Sequence, residues 1–501
     1  MTYRALPSSD QLPRALYTAA QVREFDRLAI ERCGIPGETL MERAGVAAFA
    51  CLRETWPAAR RVAVLVGGGN NGGDGYVVAR LALEQGFEVS VLQLGDPARL
   101  QGDAALNAQR WQAAGGSSAP FDGLPRDLDV IVDAMLGTGL ERDVAGLYAR
   151  AVEVANAHRA PALAIDIPSG LHADSGAILG CAVRAEVTVT FIGLKQGLFT
   201  GSGPDCAGRV VFAGLEVPAA VFASTVLSAR RVDWSGQGGL LQPRRRSAHK
   251  GHFGHVLVIG GNHGFGGAAR LAAEAALRVG AGLVSLATRP LHVSSVLAAR
   301  PEVMVHGIET ADQLAPLLRT ASVVAIGPGL GRDAWAQALW QAAVGSGRPL
   351  VVDADALHLL AADGLRRDDW VLTPHPGEAA AMLGLCNAEV GAQRFDAVAQ
   401  LQRRYGGSVV LKGAGSLVHS GGTTPPALCT DGNPGMATGG MGDVLTGIIA
   451  GLMAQGLERR DAAEGGVCLH AAAADRAATD GERGLLPSDL VEWLRSLVNG
   501  S

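Results

Sequence analysis

The chain has 501 residues, of which 48% are hydrophobic and 18% charged, and its formal net charge is −5. This balance predicts a globular protein of two or three domains and excludes the basic surface that binding to nucleic acids or membranes requires. The seven cysteines lack CxxC and Cys/His spacing, which excludes a disulfide framework and a zinc site, and residues 8–10 are polar where a signal peptide is apolar, so we expect a cytoplasmic protein.

The first part of the chain predicts a βαβ unit. An amphipathic helix over residues 18–32 opens with a capping box that begins at Thr18. Further on, a strand over residues 61–66 is followed by GGGNNGGDG, a helix over 76–85 and a second strand over 87–94.

The glycines of GGGNNGGDG satisfy the GxGxxG pattern of dinucleotide-binding domains. The strand that follows, however, ends without the acidic residue that binds a ribose. Asn70, Asn71 and Asp74 also add amide and carboxylate groups that a pyrophosphate turn does not need. These groups suit sugar hydroxyls or a cation. We therefore favour a hydroxylated ligand or a cation here over a dehydrogenase cofactor.

Two strands, predicted over residues 130–133 and 163–166, end in aspartate, and Ser169 follows the second. Because ligands of open α/β sheets bind at the carboxyl edge of the sheet, these side chains could converge with Asn71. Their oxygens suit a hard cation or the orientation of a hydroxylated substrate. The alternative is a set of ordinary strand-end caps.

Periodicity fades over residues 218–246, and the Pro- and Arg-rich run at 241–249 indicates a linker or a domain entry. Beyond it, strands and helices alternate again and predict a second doubly wound parallel sheet. This half has no Walker motif, so nucleotide binding would depend on other glycine loops. The predicted fold class is α/β, with two doubly wound domains.

Lysine is scarce in this chain. Lys195, Lys250 and Lys412 are the only three among 43 basic residues, and each lies near a glycine. Where arginine holds nearly every basic position, a lysine can mark a site that needs a compact, movable ammonium. Chance retention is the alternative. Lys412, in LKGAGS at a strand end, could reach phosphates.

The stretch over residues 432–447, GNPGMATGGMGDVLTG, joins a glycine-rich loop to an apolar helix. Amides without flanking side chains and the positive end of a helix together bind anions. Asp443 lies inside this site, where it can hold and deprotonate a hydroxyl that is about to be phosphorylated. The helix start favours its ionised form, so we expect a weak base. The alternative is a turn in which Asp443 only caps the helix.

Eleven segments, in order, resemble a known enzyme family. Those of the first half resemble the YjeF N-terminal epimerase domain: LYTAAQVREFDRLAI, GIPGETLMERAG, GGGNNGGDGYVVARLAL, VDAMLGTGL and AIDIPSGL. Those of the second half resemble the ADP-dependent NAD(P)H-hydrate dehydratase domain: HKGHFGHVLVIGGNHGFGGAAR, IGPGLG, DADAL, LTPHPGE, LKGAG and GNPGMATGGMGDVLTG. Over almost its whole length the chain resembles the bifunctional NAD(P)H-hydrate repair enzymes.

The resemblance implies two domains with different activities. Residues 1–226 would form a Rossmann-like three-layer sandwich that interconverts the R and S hydrates of NADH and NADPH. Residues 227–501 would form a ribokinase-like domain that transfers phosphate from ADP, accompanied by Mg²⁺, onto the hydroxyl of the S hydrate. Elimination then returns NAD(P)H, with AMP and phosphate as by-products. The nicotinamide compound is thus a substrate, which removes the dehydrogenase interpretation, and a homo-oligomer is expected.

The positions of the matching motifs imply which residues of this chain correspond to the site residues of the family. In the epimerase, Asp166 would be the acid/base, and Asn71, Asp133 and Ser169 would ligate K⁺. In the dehydratase, Asp443 would activate the hydroxyl. Besides Asp166 and Asp443, the substrate-binding residues would be Asn70, Asn71, Gly72, Gly73, Asp74, Gly137, Thr138, Gly139, Leu140, Glu141, Arg142, Asp143, Ala268, Gly329 and His375. The nucleotide-binding residues would be Lys412, Gly413, Ala414, Gly415, Ser416 and Gly442.

Two alternatives stay open. The C-terminal domain could be a kinase for a vitamin precursor, with a non-catalytic nucleotide-binding module before it, because ribokinase-like folds serve many substrates. The paired motifs of the two halves argue against this. His375, held between two prolines, could be a structural cap instead of a substrate-binding residue.

Overall fold

The computed structural model describes residues 12–223, 225–237 and 239–500. The polar start noted at residues 8–10 therefore lies outside the described part. The chain forms two compact units, the first ending at Arg230 and the second beginning at Arg231. Both are α/β units with parallel sheets, which confirms the predicted fold class. None of the helices in the described residues is long and apolar enough to cross a membrane.

The first unit alternates strands and helices. Its strands are β1 (Ala15–Tyr17), β2 (Arg61–Val66), β3 (Glu88–Gln93), β4 (Ser118–Pro120), β5 (Val130–Ala134), β6 (Ala162–Ile165), β7 (Val187–Phe191), β8 (Leu194–Lys195) and β9 (Arg209–Ala213), and β10 (Ala229–Val232) crosses the boundary. Its helices are α1 (Ala19–Glu31), α2 (Gly37–Thr55), α3 (Asn70–Glu84), α4 (Gly102–Ala113), α5 (Gly146–Ala157) and α6 (Gly203–Ala207).

Seven strands of the first unit form a parallel sheet in the order β4-β3-β2-β5-β6-β7-β9. The direction of winding reverses between β2 and β5, because β3 and β4 lie on one side of β2 and the later strands on the other. A crevice opens at the carboxyl ends of the strands at such a point, and ligands of doubly wound sheets bind there. The loops after β2 and β5 are therefore where a site is expected.

The sheet of the first unit is buried on both faces. Along β2, Val62, Val64 and Val66 belong to one hydrophobic core, whereas Ala63 and Leu65 belong to another. Successive side chains of a strand point to opposite faces, so a sheet covered by helices on both sides has apolar residues throughout. This explains why β2 reads as an unbroken apolar run.

Helix α3 begins at Asn70, earlier than the predicted start at residue 76. The glycines before that point had indicated a loop. A Cβ atom on Gly72 would lie 2.1 Å from the carbonyl oxygen of Gly67, and one on Gly75 would lie 2.6 Å from the side chain of Ala134. The glycines therefore let the first turns of α3 pack directly against the strand ends, and they do not interrupt the helix.

The second unit repeats the alternation. Its strands are β11 (His255–Ile259), β12 (Leu283–Thr288), β13 (Met304–Gly307), β14 (Val323–Ile326), β15 (Leu350–Val352), β16 (Trp370–Leu372), β17 (Ser408–Leu411), β18 (Leu417–His419) and β19 (Ala427–Cys429). Its helices are α7 (Gly266–Arg278), α8 (Val293–Ala299), α9 (Ala315–Thr320), α10 (Ala334–Gly345), α11 (Asp355–Asp363), α12 (Pro376–Leu383), α13 (Asn387–Ala392), α14 (Arg394–Tyr405), α15 (Met441–Ala454), α16 (Arg459–Ala477) and α17 (Pro487–Leu497).

The strands of the second unit follow the order β13-β12-β11-β14-β15-β16-β17-β18-β19. They are parallel from β13 to β17, and β18 and β19 continue the sheet antiparallel. Winding reverses between β11 and β14, which places a second crevice there. Helix α15 lies very close to α7, because Cβ atoms on Gly447 and Gly451 would stand 2.1 Å from Ala272 O and 2.4 Å from the Val279 side chain.

Strand β10 falls in the stretch 218–246, where the sequence predicted no regular element. Four residues are too few to establish a period of two, so hydrophobic periodicity does not detect such a strand. The Pro- and Arg-rich run at 241–249, predicted as a linker or domain entry, follows β10 within the second unit.

Candidate active sites

The crevice of the first unit is lined by the start of α3 and by the loop after β5. Asn71, in the first turn of α3, is buried, and its Nδ2 donates to the carbonyl oxygen of Leu136 at 3.1 Å. A Cβ atom on Gly137 would lie 3.5 Å from the Asn71 side chain, so the two loops are in contact. The remainder of the predicted substrate loop, residues 138–143, follows at the surface, and Thr138 O accepts a hydrogen bond from Arg23.

Asp133 and Ser169 form one buried network beneath this crevice. Ser169 donates to Asp133 from its hydroxyl at 2.6 Å and from its amide at 2.7 Å, and the amide of Met135 donates to the same carboxyl at 3.2 Å. The amide of Leu136 donates to Ser169 Oγ at 2.9 Å. Burial raises the pKa of Asp133 to about 6, although these hydrogen bonds oppose the rise. Asn71, Asp133 and Ser169 thus meet around the Leu136 peptide, as a shared cation site requires.

The donor atoms at this point are of the kind that binds hard cations. They are a carboxylate, an amide oxygen, a hydroxyl and a main-chain carbonyl, and oxygen donors of this kind bind hard cations. Among the described residues no group of three His, Cys, Asp or Glu side chains could hold a metal ion.

Asp166 follows β6 and has a left-handed backbone with φ 67°. A residue other than glycine in this region costs about 1 to 3 kcal/mol, which the surrounding contacts must offset. The amide of Asp166 donates to Val189 O at 2.7 Å, and its carboxylate pairs with the buried ammonium of Lys195. The side chain of Asp166 keeps 17% of its surface exposed, whereas that of Lys195 keeps 1%.

Two more carboxyls surround this ion pair. Asp74, in α3, is buried, and burial followed by the charges of Asp166 and Asp26 raises its pKa well above the usual range. Asp26, in α1, has its pKa raised to about 6, mainly by burial. The site assignment from sequence missed Lys195 and Asp26. The scarcity of lysine was a usable signal for Lys195, but nothing distinguished Asp26 from the other charged residues of an amphipathic helix.

In the second unit, Asp443 lies in the first turn of α15, and Gly440 precedes the helix with φ 98°. Among the described residues, no helix amide donates to the Asp443 carboxyl, and no side-chain cap is present at this end. The capping hydrogen bond of the alternative interpretation is therefore not formed among the described residues. A Cβ atom on Gly442 would lie 3.2 Å from Lys412 Nζ and 3.6 Å from Asp353 Oδ2, so glycine brings the helix start against charged side chains.

Asp353 organises these charges from the end of β15. It is 1% exposed, and its two oxygens accept from Lys412 Nζ and from Thr446 Oγ1, each at 2.8 Å. Glu378 lies 3.8 Å from the same ammonium. Burial lowers the pKa of Lys412, but the charges of Asp353 and Glu378 outweigh burial and raise it. Asp353 was not assigned from the sequence, although it ends a strand in the same way as Asp133.

The pKa of Asp443 differs from the expectation of a weak, ionised base. Burial raises it to about 7, the charge of Asp353 adds to the rise, and Lys412 opposes it. The helix start had suggested the opposite direction. Desolvation and like charge outweigh the helix dipole here, because the dipole contributes at most about 2 kcal/mol even at a partly buried site. Asp443 is thus a stronger base than the sequence indicated.

The loop LKGAGS follows β17 and is held from below by Arg394, which was not assigned from the sequence. The guanidinium of Arg394 donates to Lys412 O at 3.3 Å and to Gly415 O at 3.2 Å. Arg394 is buried, and burial lowers its pKa to about 10. Gly413, with φ 132°, leaves the room that the guanidinium needs, because a Cβ there would lie 2.8 Å from it. Ala414 lies between these contacts, and Ser416 follows them and donates from its Oγ to Gly413 O at 3.0 Å.

Of the predicted substrate contacts of the second unit, Gly329 and Ala268 flank the crevice, and His375 follows β16, two strands beyond β14. A Cβ atom on Gly329, after β14, would stand 3.3 Å from the Ala268 side chain in α7. His375 caps α12, since its Nδ1 accepts from the amides of Gly377 and Glu378 at 2.9 and 3.2 Å. The cap role that the sequence left open is therefore present. With Nδ1 accepting, the proton lies on Nε2, which stands 3.4 Å from Glu378 Oε1.

Both halves of the chain match known family models. Residues 37–197 match the model described as YjeF-related protein N-terminus, and residues 256–496 match the model described as NAD(P)H-hydrate dehydratase. The bifunctional NAD(P)H-hydrate repair enzyme Nnr of Coxiella burnetii is 49% identical over 97% of this chain and 99% of its own. That of Escherichia coli is 44% identical over 97% and 95%. A solved ribokinase-like superfamily protein from Enterococcus faecalis, 31% identical, covers 54% of this chain and 96% of its own with a TM-score of 0.51.

Proposed function

The chain belongs to the bifunctional NAD(P)H-hydrate repair enzymes, and from this premise we propose which residues perform each of its two activities. The protein epimerises hydrated NAD(P)H and dehydrates it back to NAD(P)H in a nucleotide-dependent reaction. We assign epimerisation to residues 1–226 and dehydration to residues 227–501. The finer assignments below concern the nucleotide, the ions and the individual side chains.

In the dehydratase, we propose that Asp443 accepts the proton of the hydroxyl on the S hydrate while that oxygen attacks the terminal phosphate of ADP. The O–P bond forms, AMP leaves, and the phosphorylated oxygen is then a good leaving group. The observation that carries this assignment is a carboxyl at a helix start that caps nothing, has a pKa near 7 and lies beside an ammonium. A base with a pKa near the working pH is the most effective one.

The nucleotide is proposed to lie between the loop from Lys412 to Ser416 and the start of α15. Lys412 and the amides near Gly442 supply positive charge where the transferred phosphoryl group carries negative charge. A Mg²⁺ ion that accompanies ADP would be held mainly by phosphate oxygens and water, because no group of three acidic side chains among the described residues could hold it. The substrate is proposed to enter along Ala268, Gly329 and His375.

In the epimerase, the substrate is proposed to bind over the start of α3, from Asn70 to Asp74, and along the loop from Gly137 to Asp143. K⁺ would be held by Asn71, Asp133 and Ser169, where it supplies positive charge at the edge of the crevice. Asp166 is the proposed acid/base. The ion pair with Lys195 orients the carboxylate of Asp166. Both residues belong to the same unit as the loop from Gly137 to Asp143.

The test of the activity is direct. The protein is mixed with NADH hydrate and ADP, and the absorbance of reduced nicotinamide is followed while AMP and phosphate are quantified. We expect the absorbance to return with one AMP and one phosphate for each NADH formed. ATP is tested in parallel to establish the preferred donor. Consumption of nucleotide on a vitamin precursor, with no return of absorbance, would instead establish the kinase alternative.

The raised pKa of Asp443 predicts the pH dependence of dehydration. Asp443 must be ionised to accept a proton, so kcat/KM for pure S hydrate should rise with pH through about 7 and level off above it. Glu378→Gln removes one of the charges that raise this pKa, yet glutamine can still accept the His375 amide in the capping box. The rise should therefore move to lower pH in that variant. A profile that is flat from pH 5.5 to 8.5 would contradict the role of Asp443.

Replacing K⁺ tests the cation assignment. With tetramethylammonium as the sole monovalent cation, conversion of R to S hydrate should slow strongly, because this ion is too large for the oxygen donors around Leu136 and binds them poorly. Dehydration of pure S hydrate serves as the control for a general salt effect and is measured in the same buffers. An unchanged rate of epimerisation would show that Asn71, Asp133 and Ser169 hold no ion that matters to the reaction.

A further inference from the structure

A buried ammonium commits one oxygen of Asp166 and leaves the other free. Lys195 Nζ donates to Asp166 Oδ1, to Thr190 Oγ1 at 3.1 Å and to Phe191 O at 3.0 Å. An ammonium has three N–H donors, so all of them are used and its rotation is fixed. The amide of Phe191 donates to the same Oδ1 at 3.2 Å. No donor among the described residues reaches Asp166 Oδ2, which is therefore the oxygen available to a ligand.

Within the described part of the chain, the carboxyl of Asp74 lacks the hydrogen-bond donors that surround the carboxylate of Asp166. The residue is 9% exposed, and no described residue donates a hydrogen bond to its carboxyl. Burial and the nearby charges of Asp166 and Asp26 raise its pKa well above the usual range, and Lys195 offsets this only in part. Burial without a donor favours the neutral form of the Asp74 carboxyl, whereas Asp166 is ion-paired with Lys195. Two carboxyls whose environments differ in this way form an acid and a base.

The chemistry of the hydrate calls for such a pair. The double bond of the reduced nicotinamide ring that takes up water is an enamine, so the hydroxyl adds to the carbon bonded to the ring nitrogen. When the C–O bond breaks, the nitrogen lone pair forms a C=N bond, and the hydroxyl leaves as water after taking a proton. Water then forms a C–O bond on the other face, the C=N electrons return to nitrogen, and the entering water loses a proton.

We propose that Asp74 donates the proton to the departing hydroxyl and that Asp166, through Oδ2, accepts the proton of the entering water. Lys195 is a positioning residue. Its ammonium donates a hydrogen bond to Asp166 and none to Asp74, so the two carboxyls have different surroundings. This inference rests on the epimerase site proposed for the first unit. One proton leaves Asp74 and one reaches Asp166, so the reaction is balanced. The resulting form catalyses the reverse direction, and proton exchange with solvent restores the first form.

The decisive variant is Asp74→Asn in the full chain. An amide is nearly isosteric with the neutral carboxyl but cannot donate a proton as an acid. We expect kcat for R-to-S conversion, followed by chromatography of the two hydrates, to fall by about 10² to 10⁴ while KM stays close to that of the wild type. Asp127→Asn is the matched control, since Asp127 makes only an exposed ion pair with Arg159 before β5. A kcat for Asp74→Asn within threefold of the wild type would overturn the proposal.

Two further measurements complete the test. Lys195→Met should lower kcat for epimerisation more than it changes KM, and it should leave dehydration of pure S hydrate unchanged. Wild-type protein in H₂¹⁸O should place ¹⁸O in each newly formed epimer, because the C–O bond breaks; epimers that retain ¹⁶O would overturn the mechanism even if Lys195→Met does not fold. A wild type that fails to interconvert the hydrates would instead refute the epimerase site itself.

Discussion

Asp443→Asn is expected to reduce repair of the S hydrate by about two to four orders of magnitude, the usual scale for removing a general base. Asparagine keeps the size of the side chain and can hold the hydroxyl by one hydrogen bond, but it cannot take the proton. The carboxyl makes no cap bond in the described structure, so the helix start should survive the change. ADP binding, measured by titration calorimetry, should therefore persist while the repair rate collapses.

The control for Asp443→Asn is the same substitution at another helix start. Asp489 lies in the first turn of α17, where its Oδ2 accepts the amide of Leu486 at 2.8 Å. Asp489→Asn makes the same chemical change at a helix start but touches no proposed site, so repair should be unchanged. If Asp443→Asn loses ADP binding in parallel with repair, Asp443 shapes the glycine loop and the assignment as a base fails.

Asp133→Ala is expected to abolish epimerisation, with a loss of at least about 100-fold, because it removes the only charged ligand of the proposed potassium site. Dehydration of pure S hydrate should remain nearly intact, since Asp443 and Lys412 belong to a different core. The measurement is a pair of assays on one preparation: R-to-S conversion, and ADP-dependent return of NADH from pure S hydrate. Collapse of both in a folded variant would contradict the separation of the two sites.

The structure requires a second variant beside Asp133→Ala. The carboxyl of Asp133 accepts bonds from the amides of Met135 and Ser169 and from the Ser169 hydroxyl, and each buried donor left unpaired costs about 1 to 3 kcal/mol. The alanine variant could therefore lose activity by local unfolding. Asp133→Asn keeps an acceptor and removes the charge, so it should unfold at a temperature closer to that of the wild type. Epimerisation at the wild-type rate in Asp133→Asn would contradict the assignment of Asp133 as a charged cation ligand.

The sequence predicted the architecture because local signals and topology agree. The capping box at Thr18 and the strand over residues 61–66 are present as predicted, since each depends on contacts between near neighbours in the chain. The sequence mispredicted two elements, the start of α3 and strand β10, for other reasons. The early start of α3 follows from how close Gly72 and Gly75 come to the sheet, and β10 is too short to show a period.

Sequence alone determined the α/β class, the restart of the alternation in the second half, and the residues with chemistry at the strand ends. Those are properties of periodicity and of residue type at a given position. Only the tertiary structure decided the ionisation of the groups, because desolvation and like charge depend on neighbours that are distant in sequence. Asp353 meets Lys412 and Thr446, and Asp166 meets Lys195, only when the strands align. Burial in these clusters is what turns Asp443 from the weak base of a helix start into a carboxyl whose pKa is about 7.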